Sequence, residues 1–466
     1  MLGLSFVTII HLLIAVPLCG HVLLRKEQET VAFGWIALIL LSPFIGAALY
    51  GLFGINRVAR QARKLRGDLA KRKLSQHVQA SSEKRSDMRI LRIAESVNDL
   101  SFLAGNRILL LINGDAAFPA MLQAIEGAKT SICLSTYIFD SDPTGKKFVA
   151  ALSDAARRGV IVRVLVDDIG LLYSPEAIDR DLRMGGVNTA RFIPRQLRFW
   201  RIFNLRNHRK IIVVDGQTGF IGGMNIRHGH VLAARPRSPI QDIHFQVRGP
   251  VLDQFSALFE EDWQFATDED VDLPRWPSAA GAPGDVDARL VPDGPDHRSD
   301  TLQWLLLGAL ATAQRSIRIM TPYFIPNGTL ISALCVSAMR GVDVDIVIPA
   351  KTNIPFIGWA MAANFEHLMT HGVKIYLSPT PFDHSKLMIV DGTWSLVGSS
   401  NWDQRSLRLN FEANLECLDA ALGAELENHF ASQKARAQQV ALDAVKAAPI
   451  YVRLRNNFIR LFGPYL

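Results

Sequence analysis

The stretch NHRKIIVVD, residues 207–215, sets a histidine, a lysine and an aspartate around an apolar run whose β-branched residues favour a buried strand. Residues i and i+2 of a strand lie on the same face, so His208 and Lys210 are predicted to point the same way. Asp215 follows four apolar residues and belongs at the far end of the strand. The stretch therefore predicts a strand that carries a reactive cluster at one end.

Nearly the same pattern returns as DHSKLMIVD, residues 383–391. Each copy leads through a glycine-containing turn, GGMN or GSSN, to an asparagine, and 17 residues separate the histidine from that asparagine in both copies. One three-residue pattern is weak evidence, whereas two copies with equal spacing indicate a repeated unit. The repeated residues are His208, Lys210, Asp215 and Asn225 in the first copy, and His384, Lys386, Asp391 and Asn401 in the second.

Other segments repeat in the same order. AKTSICLSTYIF (128–139) resembles AQRSIRIMTPYF (313–324), and AARRGVIVRVLVDD (155–168) resembles SAMRGVDVDIVIPA (337–350). Each copy alternates β-branched runs with segments of helical spacing, and a glycine follows the helical segment. The sequence therefore predicts an α/β protein with two lobes related by a pseudo-twofold axis, each built from a mixed sheet flanked by helices.

Composition along the 466 residues suggests six segments. A membrane hairpin and a basic juxtamembrane segment come first, and an acidic connection rich in proline and glycine separates the lobes. The predicted segments are 1–55 (hairpin), 56–105 (basic segment), 106–267 (first lobe), 268–300 (connection), 301–445 (second lobe) and 446–466 (amphipathic tail).

Two apolar stretches near the N-terminus predict membrane spans. Residues 2–24 and 31–54 contain no Lys, Arg, Asp or Glu, and each is long enough to cross a bilayer as a helix. The short separator RKEQET makes them a hairpin whose two ends lie on the same side. A cleaved signal peptide is the alternative for the first stretch, which lacks a basic start and a cleavage site of small residues. We therefore predict a multi-pass membrane protein.

The positive charge is concentrated in one segment. The chain has a formal net charge of +7, yet residues 57–92 alone contain twelve Lys/Arg and only three Asp/Glu. Such a cluster directly after a span indicates that the following domain is cytoplasmic, and it suits an anionic membrane surface. Enzymes that act on nucleic acids more often spread basic residues over the catalytic body, so no nucleic-acid partner is predicted.

Two histidines, two lysines and two asparagines around one cavity suit a phosphodiester substrate. Neutral imidazole is a good nucleophile at phosphorus, and a partner imidazolium can protonate the leaving alkoxide. Lysine and asparagine side chains can stabilise the oxygens of the transition state. This chemistry needs neither a metal nor another cofactor, so we expect chelators to leave activity intact. The four cysteines are far apart and form no CxxC spacing, which predicts buried, reduced thiols.

An acidic residue should orient each imidazole by accepting a hydrogen bond from its second ring nitrogen. Asp242 in QDIH and Glu412 in NFEANLE are the candidates, since each follows its asparagine on a later strand. Asp215 and Asp391 complete the repeated motif, but the four apolar residues before each of them favour a structural part.

Together these residues resemble the phospholipase D superfamily, whose HKD motifs they match, and within it the bacterial cardiolipin synthases. FNLRNHRKIIVVDG, TPYFIPNGTL and the C-terminal RLFGPYL are among the similar segments, so the resemblance spans nearly the whole chain. The resemblance implies that two phosphatidylglycerols are joined into cardiolipin and glycerol through a phosphatidyl-histidine. It implies a catalytic role for both motifs, with His208 as the nucleophile and His384 as the general acid/base, although pseudo-symmetry also permits the reverse.

The same resemblance implies a location and partners. The protein is expected in the bacterial inner, or cytoplasmic, membrane with its catalytic domain on the cytoplasmic side. Phosphatidylglycerol, other anionic phospholipids and the membrane itself are the expected partners, and no particular oligomeric state is predicted.

Two further segments are candidates for contact with lipid. The loop RQLRFWRIFNLRNHRK before His208 contains Arg198, Arg201 and Arg206, which can bind headgroup phosphates, with a solvated basic loop as the alternative. The C-terminal APIYVRLRNNFIRLFGPYL, residues 448–466, combines apolar residues at helical spacing with arginines. This pattern suits either a helix on the membrane surface or a helix docked on the protein.

Three other functions are compatible with parts of the pattern. A hydrolytic phospholipase D, or a synthase with another donor or acceptor, shares the chemistry and differs in its product. A membrane-anchored nuclease also cleaves phosphodiesters, but the position of the basic residues disfavours it. A non-catalytic lipid-binding scaffold would not need two complete motifs.

Overall fold

The computed structural model describes residues 2–26, 29–42, 44–54, 93, 95–173, 178–192, 205–277, 281–296, 298 and 300–463. These residues fall into two compact units, one ending at Gly54 and one starting at Ile93. Most of the predicted basic segment 56–105 lies outside the described residues, and so do Arg198 and Arg201 of the predicted lipid loop.

The N-terminal unit is helical. Its elements are α1 (Leu2–Arg25), α2 (Glu29–Leu41), α3 (Ile45–Leu49) and a π-helical turn (Tyr50–Gly54). Helices α1 and α2 pack against each other around the buried residues Ala15, Val22, Ala32, Ile39 and Tyr50. His21 Nδ1 lies 2.8 Å from the Tyr50 hydroxyl, which gives both polar groups a partner within this apolar unit.

The second apolar stretch is not the continuous span predicted for residues 31–54. Helix α2 ends at Leu41, and Phe44 has a φ angle of 63°, so the chain turns before α3 begins. The sequence places Pro43 at this point, and proline lacks an amide hydrogen and disfavours helix in the residue before it. Among the described residues, one helical stretch, Phe6–Arg25, is long and apolar enough to cross a membrane, judged by length and composition.

The second unit begins with nine strands and four helices, here called the first half (Leu103–Thr267). Its strands are β1 (Leu103–Ile112), β2 (Ser131–Thr136), β3 (Ile161–Val166), β4 (Asn188–Arg191), β5 (Arg206–Asn207), β6 (Ile211–Val214), β7 (Thr218–Gly222), β8 (Ile240–Gln241) and β9 (Ile243–Arg248). Its helices are α4 (Asn113–Glu126), α5 (Pro143–Arg157), α6 (Ile178–Met184) and α7 (Leu252–Thr267).

The second half (Val286–Arg436) follows the same order and is succeeded by a short C-terminal region. The strands are β10 (Val286–Asp293), β11 (Ser316–Met320), β12 (Phe324–Ile325), β13 (Asp343–Pro349), β14 (Lys374–Ser378), β15 (Phe382–Asp383), β16 (Leu387–Val390), β17 (Trp394–Gly398), β18 (Trp402–Asp403), β19 (Asn410–Leu418) and β20 (Gln438–Gln439). The helices are α8 (Thr301–Thr312), α9 (Gly328–Met339), α10 (Pro355–Ala362), α11 (Phe365–Thr370), α12 (Ala420–Arg436), α13 (Leu442–Lys446) and α14 (Ile450–Arg460).

Sixteen strands of the described chain form one mixed sheet whose centre is the β1–β10 pair. Read outward from β1, the order is β1-β9-β7-β6-β2-β3-β4. Read outward from β10, it is β10-β19-β17-β16-β11-β13-β14-β20. Each of the seven strands in the first order therefore has a counterpart at the same position of the second order, and both halves belong to a single compact unit.

The segment 268–300, interpreted above as a connection between lobes, contains the central strand β10. This strand pairs with β19 over Asp287–Asp293 and also pairs with β1. A strand with neighbours on both sides gives its amides and carbonyls partners, which makes it part of the sheet rather than a linker. The proline and glycine residues around β10 are typical of a connection, although the strand itself contains the short apolar run ARLV. The connection between the two halves is therefore shorter than predicted.

The apolar runs of the two repeated motifs are β6 and β16, and every residue of both strands is buried. Strand β6 lies between β2 and β7, and β16 lies between β11 and β17. Helices pack their apolar residues on the sheet to form one core in each half. The residues that precede β6 and β16 are thus held by strands paired on both edges.

Candidate active site

Two short parallel strand pairs bring the histidines of the two halves together. Strand β5, just before His208, pairs with the start of β19, and the His208 amide donates to the Phe411 carbonyl at 2.9 Å. Strand β15, just before His384, pairs with β8, and the His384 amide donates to the Gln241 carbonyl at 2.7 Å. Each histidine is therefore held by backbone from the opposite half.

The carboxylate next to His208 comes from the second half. His208 Nδ1 lies 3.0 Å from Glu412 Oε2, and the Glu412 side chain is completely buried. The Ser399 hydroxyl also donates to Oε2, and Asn410 Nδ2 donates to Oε1 at 3.1 Å. A carboxylate that accepts from Nδ1 leaves the Nε2 lone pair of His208 free to react. Ser399 and Asn410 were not assigned from the sequence, although both lie within two residues of predicted site residues.

The carboxylate next to His384 comes from the first half. His384 Nδ1 lies 2.9 Å from Asp242 Oδ2, and the Ile243 amide donates to Oδ1 at 2.8 Å. A Cβ atom on Gly223 would come within 2.5 Å of Asp242 Oδ1, so this glycine of GGMN makes room for the carboxylate. The two predicted acidic residues thus contact the two motif histidines, and both pairs cross between the halves.

The two motif lysines are buried beside their histidines. Lys210 Nζ donates to the His208 carbonyl at 2.7 Å, and Lys386 Nζ donates to the His384 carbonyl and lies 3.0 Å from His384 Nδ1. Each lysine lies on the same face of its strand as its histidine, because it follows that histidine by two residues. Two lysines, two carboxylates and two imidazoles therefore share one site.

Burial keeps the imidazoles neutral. It lowers the pKa of His208 to about 4, with the positive lysines adding to the effect and Glu412 opposing it. Burial and the neighbouring Lys386 also hold the pKa of His384 well below its ordinary value. Burial raises the pKa of Glu412, but the contacts with His208, Lys210 and Ser399 outweigh burial, and the net pKa is lowered. At neutral pH the site thus contains a neutral imidazole beside an ionised carboxylate.

Burial also lowers the pKa of Lys210 to about 7 and that of Lys386 to about 8, although the nearby carboxylates oppose the shift. Near neutral pH these lysines are therefore only partly protonated, because their surroundings do not fully compensate for their desolvation. A negatively charged phosphodiester would supply that compensation, since it would stabilise the protonated lysines and raise the pKa of the imidazoles.

The predicted asparagines are both buried but have different partners. Asn225 Oδ1 accepts from the Ile138 amide at 3.1 Å, which leaves its amide group available to another acceptor. Asn401 Oδ1 is buried without a hydrogen-bond partner, and Asn401 shares the lining of a small cavity with Lys386.

Asp215 and Asp391 lie at the other ends of β6 and β16. Asp215 accepts from the backbone amides of residues 129–131 and from the Thr130 hydroxyl, at 2.7–2.9 Å. Asp391 accepts from the amides of residues 314–316 at 2.7–2.9 Å. Both have positive φ angles, 53° and 54°. Their carboxylates hold the starts of β2 and β11, so these two aspartates of the repeated motif have a structural role.

Aromatic rings flank both imidazoles. The Tyr137 ring lies edge-on to His208 with centroids 5.1 Å apart, and Tyr323 lies edge-on to His384 at 6.4 Å. The repeated segments STYIF and TPYF align Tyr137 with Pro322 and Tyr323 with Ile138, so the two tyrosines are one position apart in the repeat. A tyrosine shortly after each repeated strand was the signal that could have identified them.

Of the predicted lipid loop, the structure describes Arg206, which is partly exposed within β5. A second arginine, Arg405, was not predicted. Burial lowers the pKa of the Arg405 guanidinium, and the charge of Arg206 contributes in the same direction. The two arginines are therefore close enough to add to the positive potential on the His208 side of the site.

Arg209, between the two motif residues, points to the opposite face of its strand. Its buried guanidinium pairs with Asp262, and its Nε donates to the Glu412 carbonyl at 3.0 Å. The guanidinium also lies 5.4 Å from the centre of the Phe411 ring. Arg209 thus anchors the backbone that carries Glu412 and links β19 to helix α7.

Replacing Arg209 by Met should lower the free energy of unfolding by about 3–5 kcal/mol, because the buried Asp262 would lose its ion-pair partner. The matched control is Arg157→Met, since Arg157 pairs with Asp154 at the surface and both side chains are more than half exposed. That control should change stability by about 0–1 kcal/mol. Urea unfolding of the full-length protein in detergent, followed by near-ultraviolet circular dichroism, measures both. Equal losses in the two variants would contradict the buried-anchor role.

A cluster of possible metal ligands lies on elements that carry none of the motif residues. Cys335 on α9 and His367 and His371 around α11 place ligand atoms within 4.8 Å of one another. Cys335 and His367 are more than 30 residues apart in the sequence, so the spacing of the cysteines does not predict this cluster. The other described cysteines are unpaired, and Cys133 and Cys417 are buried.

Comparison with known proteins agrees with this arrangement. The family described as "Cardiolipin synthase, PLD-like domain" matches residues 121–263 and 306–434, which include both histidine motifs. A cardiolipin synthase of Clostridium perfringens (strain SM101 / Type A) is 30% identical over 95% of this chain and 95% of its own length. The major cardiolipin synthase of Bacillus subtilis (strain 168) is 29% identical over 99% of this chain and 98% of its own.

Solved structures show the same fold at low sequence identity. A phosphatidylserine synthase of Haemophilus influenzae Rd KW20 covers 81% of this chain with a TM-score of 0.62 and 15% identity, and all of that chain is matched. A polyphosphate kinase of Porphyromonas gingivalis covers 80% of this chain, and 55% of its own chain is matched, with a TM-score of 0.51 and 12% identity. With the family match over more than half of the residues and the full-length relatives, the protein belongs to the cardiolipin synthase family and has its phospholipase D-like α/β fold.

Proposed function

We propose that the protein is a membrane-bound phosphatidyltransferase that joins two phosphatidylglycerols into cardiolipin and glycerol. The observation that carries the proposal is the pair of neutral, buried motif histidines, each with Nδ1 beside a carboxylate of the opposite half. This arrangement offers one reactive Nε2 from each half to a single phosphodiester.

In the first step His208 Nε2 forms a bond to the phosphorus of one phosphatidylglycerol. The bond from phosphorus to the glycerol headgroup oxygen breaks, and His384 gives its proton to that oxygen, so glycerol leaves. Burial and the charge of Lys386 lower the pKa of His384 in the free enzyme. The proton becomes available because the bound negative phosphodiester stabilises the imidazolium and raises this pKa. The product is a phosphatidyl group on His208.

In the second step His384, now neutral, takes the proton from a headgroup hydroxyl of a second phosphatidylglycerol. That oxygen forms a bond to phosphorus, the bond from phosphorus to His208 Nε2 breaks, and cardiolipin is released. His384 ends protonated and His208 neutral, as they were when the first donor bound. Water in place of the second lipid would give phosphatidic acid, so exclusion of water decides between transfer and hydrolysis.

The remaining site residues take roles that follow from their contacts. Lys210, Lys386, Asn225 and Asn401 bind the phosphate oxygens and stabilise the charge that develops in the transition state. Glu412 and Asp242 position the two imidazoles and balance their positive charge when protonated. Arg206, which is partly exposed, binds the anionic headgroup. The same role is proposed for Arg198 and Arg201, which lie outside the described residues.

For the membrane topology we propose two antiparallel apolar segments, 2–24 and 31–54, with the catalytic unit on the cytoplasmic side of the bacterial inner membrane. The twelve basic residues of 57–92 support this orientation, since they follow the second segment directly. The matching strand orders around β1 and β10 support a pseudo-twofold relation between lobes 106–267 and 301–445. No nucleic acid is part of the proposed reaction.

Product identification tests the function. Purified full-length protein is given phosphatidylglycerol labelled in its headgroup glycerol, in vesicles of defined composition, with and without a chelator. Cardiolipin and free labelled glycerol in equal amounts are expected in both cases. Phosphatidic acid as the only lipid product would show a hydrolase, and turnover of a nucleic acid in preference to lipid would show a nuclease.

The pH dependence follows from the shifted pKa values. His208 must be unprotonated to attack, so kcat/KM should fall as pH drops through about 4. Both lysines must be protonated to bind phosphate, so kcat/KM should also fall as pH rises through about 7–8. Initial rates of nitrophenolate release from a dispersed short-chain phosphatidyl-p-nitrophenol avoid the local pH shift at a charged bilayer. This donor needs no general acid, so the protonation of His384 does not enter the profile. Lys210→Arg should move the basic limb upward because the guanidinium stays protonated. An acid limb at the ordinary histidine pKa of about 6.5 would contradict the buried neutral nucleophile.

A further inference from the structure

The C-terminal helix α14 carries an apolar stripe that faces solvent. The exposed apolar residues of the helix are Ile450, Tyr451, Leu454 and Phe458, and Leu461 follows directly after its end; their relative exposures are 59–71%. At 3.6 residues per turn these positions fall within an arc of about 100°. A helix on the surface of a globular protein normally turns such a stripe towards the core.

The opposite face of α14 is the one that docks on the protein. Asn456 is buried, and Ile459 packs against the core of the second half. Arg460 donates to Asn364 Oδ1 at 3.0 Å. These contacts fix the rotation of the helix about its axis, so the outward position of the stripe is a property of the folded protein.

Neighbouring residues extend the exposed apolar surface. Helix α10 packs against α14 and presents the partly exposed Phe356 and Trp359. The guanidinium of Arg455 lies 4.4 Å from the centre of the Trp359 ring. Tryptophan, tyrosine and arginine beside aliphatic residues are the composition found where proteins meet the interface of a bilayer.

The charge of α14 determines which kind of surface the helix can bind. Helix α14 contains three arginines and no acidic residue, at Arg453, Arg455 and Arg460. An anionic phospholipid surface complements this charge, whereas a second copy of the same helix would bring like charges together. An apolar stripe flanked by cations is therefore more complementary to an anionic bilayer than to the same stripe on a second copy of the chain.

The end of α14 lies beside the catalytic site. Gly463 is buried, and a Cβ atom placed on it would meet Ile325 Cγ2 at 3.4 Å and Gln404 Nε2 at 3.5 Å. Ile325 belongs to β12, which pairs with β18 directly after the site residue Asn401. Tyr323, which flanks His384, immediately precedes β12. A bilayer that met α14 would thus lie next to the second half of the site.

We propose that the apolar stripe of α14 inserts into the headgroup region of a bilayer rich in anionic phospholipid and sets the catalytic unit against the membrane at the His384 side. The contact is separate from the proposed N-terminal membrane segments. That this orientation serves lipid turnover rests on the function proposed above.

Spin labels on the full-length protein test the contact. In a Cys19→Ser background, where the other cysteines are buried, one nitroxide is placed at Leu454→Cys and, as the control on the same helix but off the stripe, at Arg453→Cys. In phosphatidylglycerol vesicles the label at 454 should collide with oxygen in preference to a water-soluble nickel complex, and the label at 453 should do the reverse. Equal access of the nickel complex to both labels would overturn the proposal. Strong dipolar coupling between 454 labels of two chains would also overturn it, because a second copy would then cover the stripe.

Turnover measurements separate this contact from the chemistry. The double variant Leu454→Glu, Phe458→Glu should lose about tenfold or more of its kcat/KM on phosphatidylglycerol bilayers, because carboxylates resist entry into an anionic interface. On dispersed short-chain phosphatidylglycerol it should stay within about twofold of the parent. Met184→Glu, at an exposed apolar position of the first half, is the control for added charge. Equal rates of the double variant and parent on bilayers would overturn the proposal, as would an equal loss on both forms of the lipid. If the parent turned over neither form, the proposed function would fail while the spin-label result would still decide the contact.

Discussion

A His384→Ala variant given phosphatidyl-p-nitrophenol should release one equivalent of nitrophenolate and retain the phosphatidyl group on His208. Nitrophenolate leaves without protonation, so the first step no longer needs the general acid. The second step still needs a base to activate the acceptor hydroxyl, and the missing His384 therefore traps the intermediate. With phosphatidylglycerol, whose glycerol leaves poorly, the same variant should lose about 10⁴-fold or more in kcat.

His208→Ala should give no adduct with either donor, because the atom that attacks phosphorus is absent. Intact-protein mass spectrometry under alkaline conditions, which preserve phosphohistidine, measures the adduct and locates it in the peptide that contains residues 207–215. His371→Ala, at a partly exposed histidine after helix α11, is the matched control and should behave as the parent. An adduct on His384 in the His208→Ala variant would reverse the two roles.

Glu412→Gln should lower kcat by about 10³–10⁴-fold with either donor. An amide can donate to His208 Nδ1 and so favour the tautomer whose Nε2 is protonated and cannot attack. It also removes the negative charge that raises the pKa of His208, so any acid limb that remains should lie at still lower pH. Thermal unfolding of the variant shows whether the loss arises from catalysis or from the fold.

Asp242→Asn is the matched comparison, because Asp242 holds the other histidine by the same kind of contact. It should impair turnover of phosphatidylglycerol and leave the release of nitrophenolate nearly unchanged, since that release needs no general acid. Loss of less than about tenfold in Glu412→Gln would contradict the positioning role. An equal response of both variants to the nitrophenyl donor would contradict the assignment of His208 as the nucleophile and His384 as the general acid/base.

The sequence allowed a correct prediction of the α/β fold, because the repeated strands are local patterns of apolar and β-branched residues. It also pointed to Asp242 and Glu412, since each follows its motif at a similar interval along the chain. It missed the break after Leu41, where a proline lies in an otherwise continuous apolar run. It missed β10 as well, because a central strand is recognised by its two neighbours and not by a long apolar run of its own.

The sequence alone determined the motif residues, the chemistry that they suit and the family. Reactive residue types at a fixed spacing on a strand lie within a few residues of one another, so a local pattern reveals them. The pairing of His208 with Glu412, 204 residues apart, was decided only by the tertiary structure. The tertiary structure also decided the pairing of short strands across the two halves and the outward face of α14. These features depend on which strands become neighbours in the sheet and which helix faces find a partner. Such choices are made by long-range packing, and the spacing of residues along the chain does not contain them.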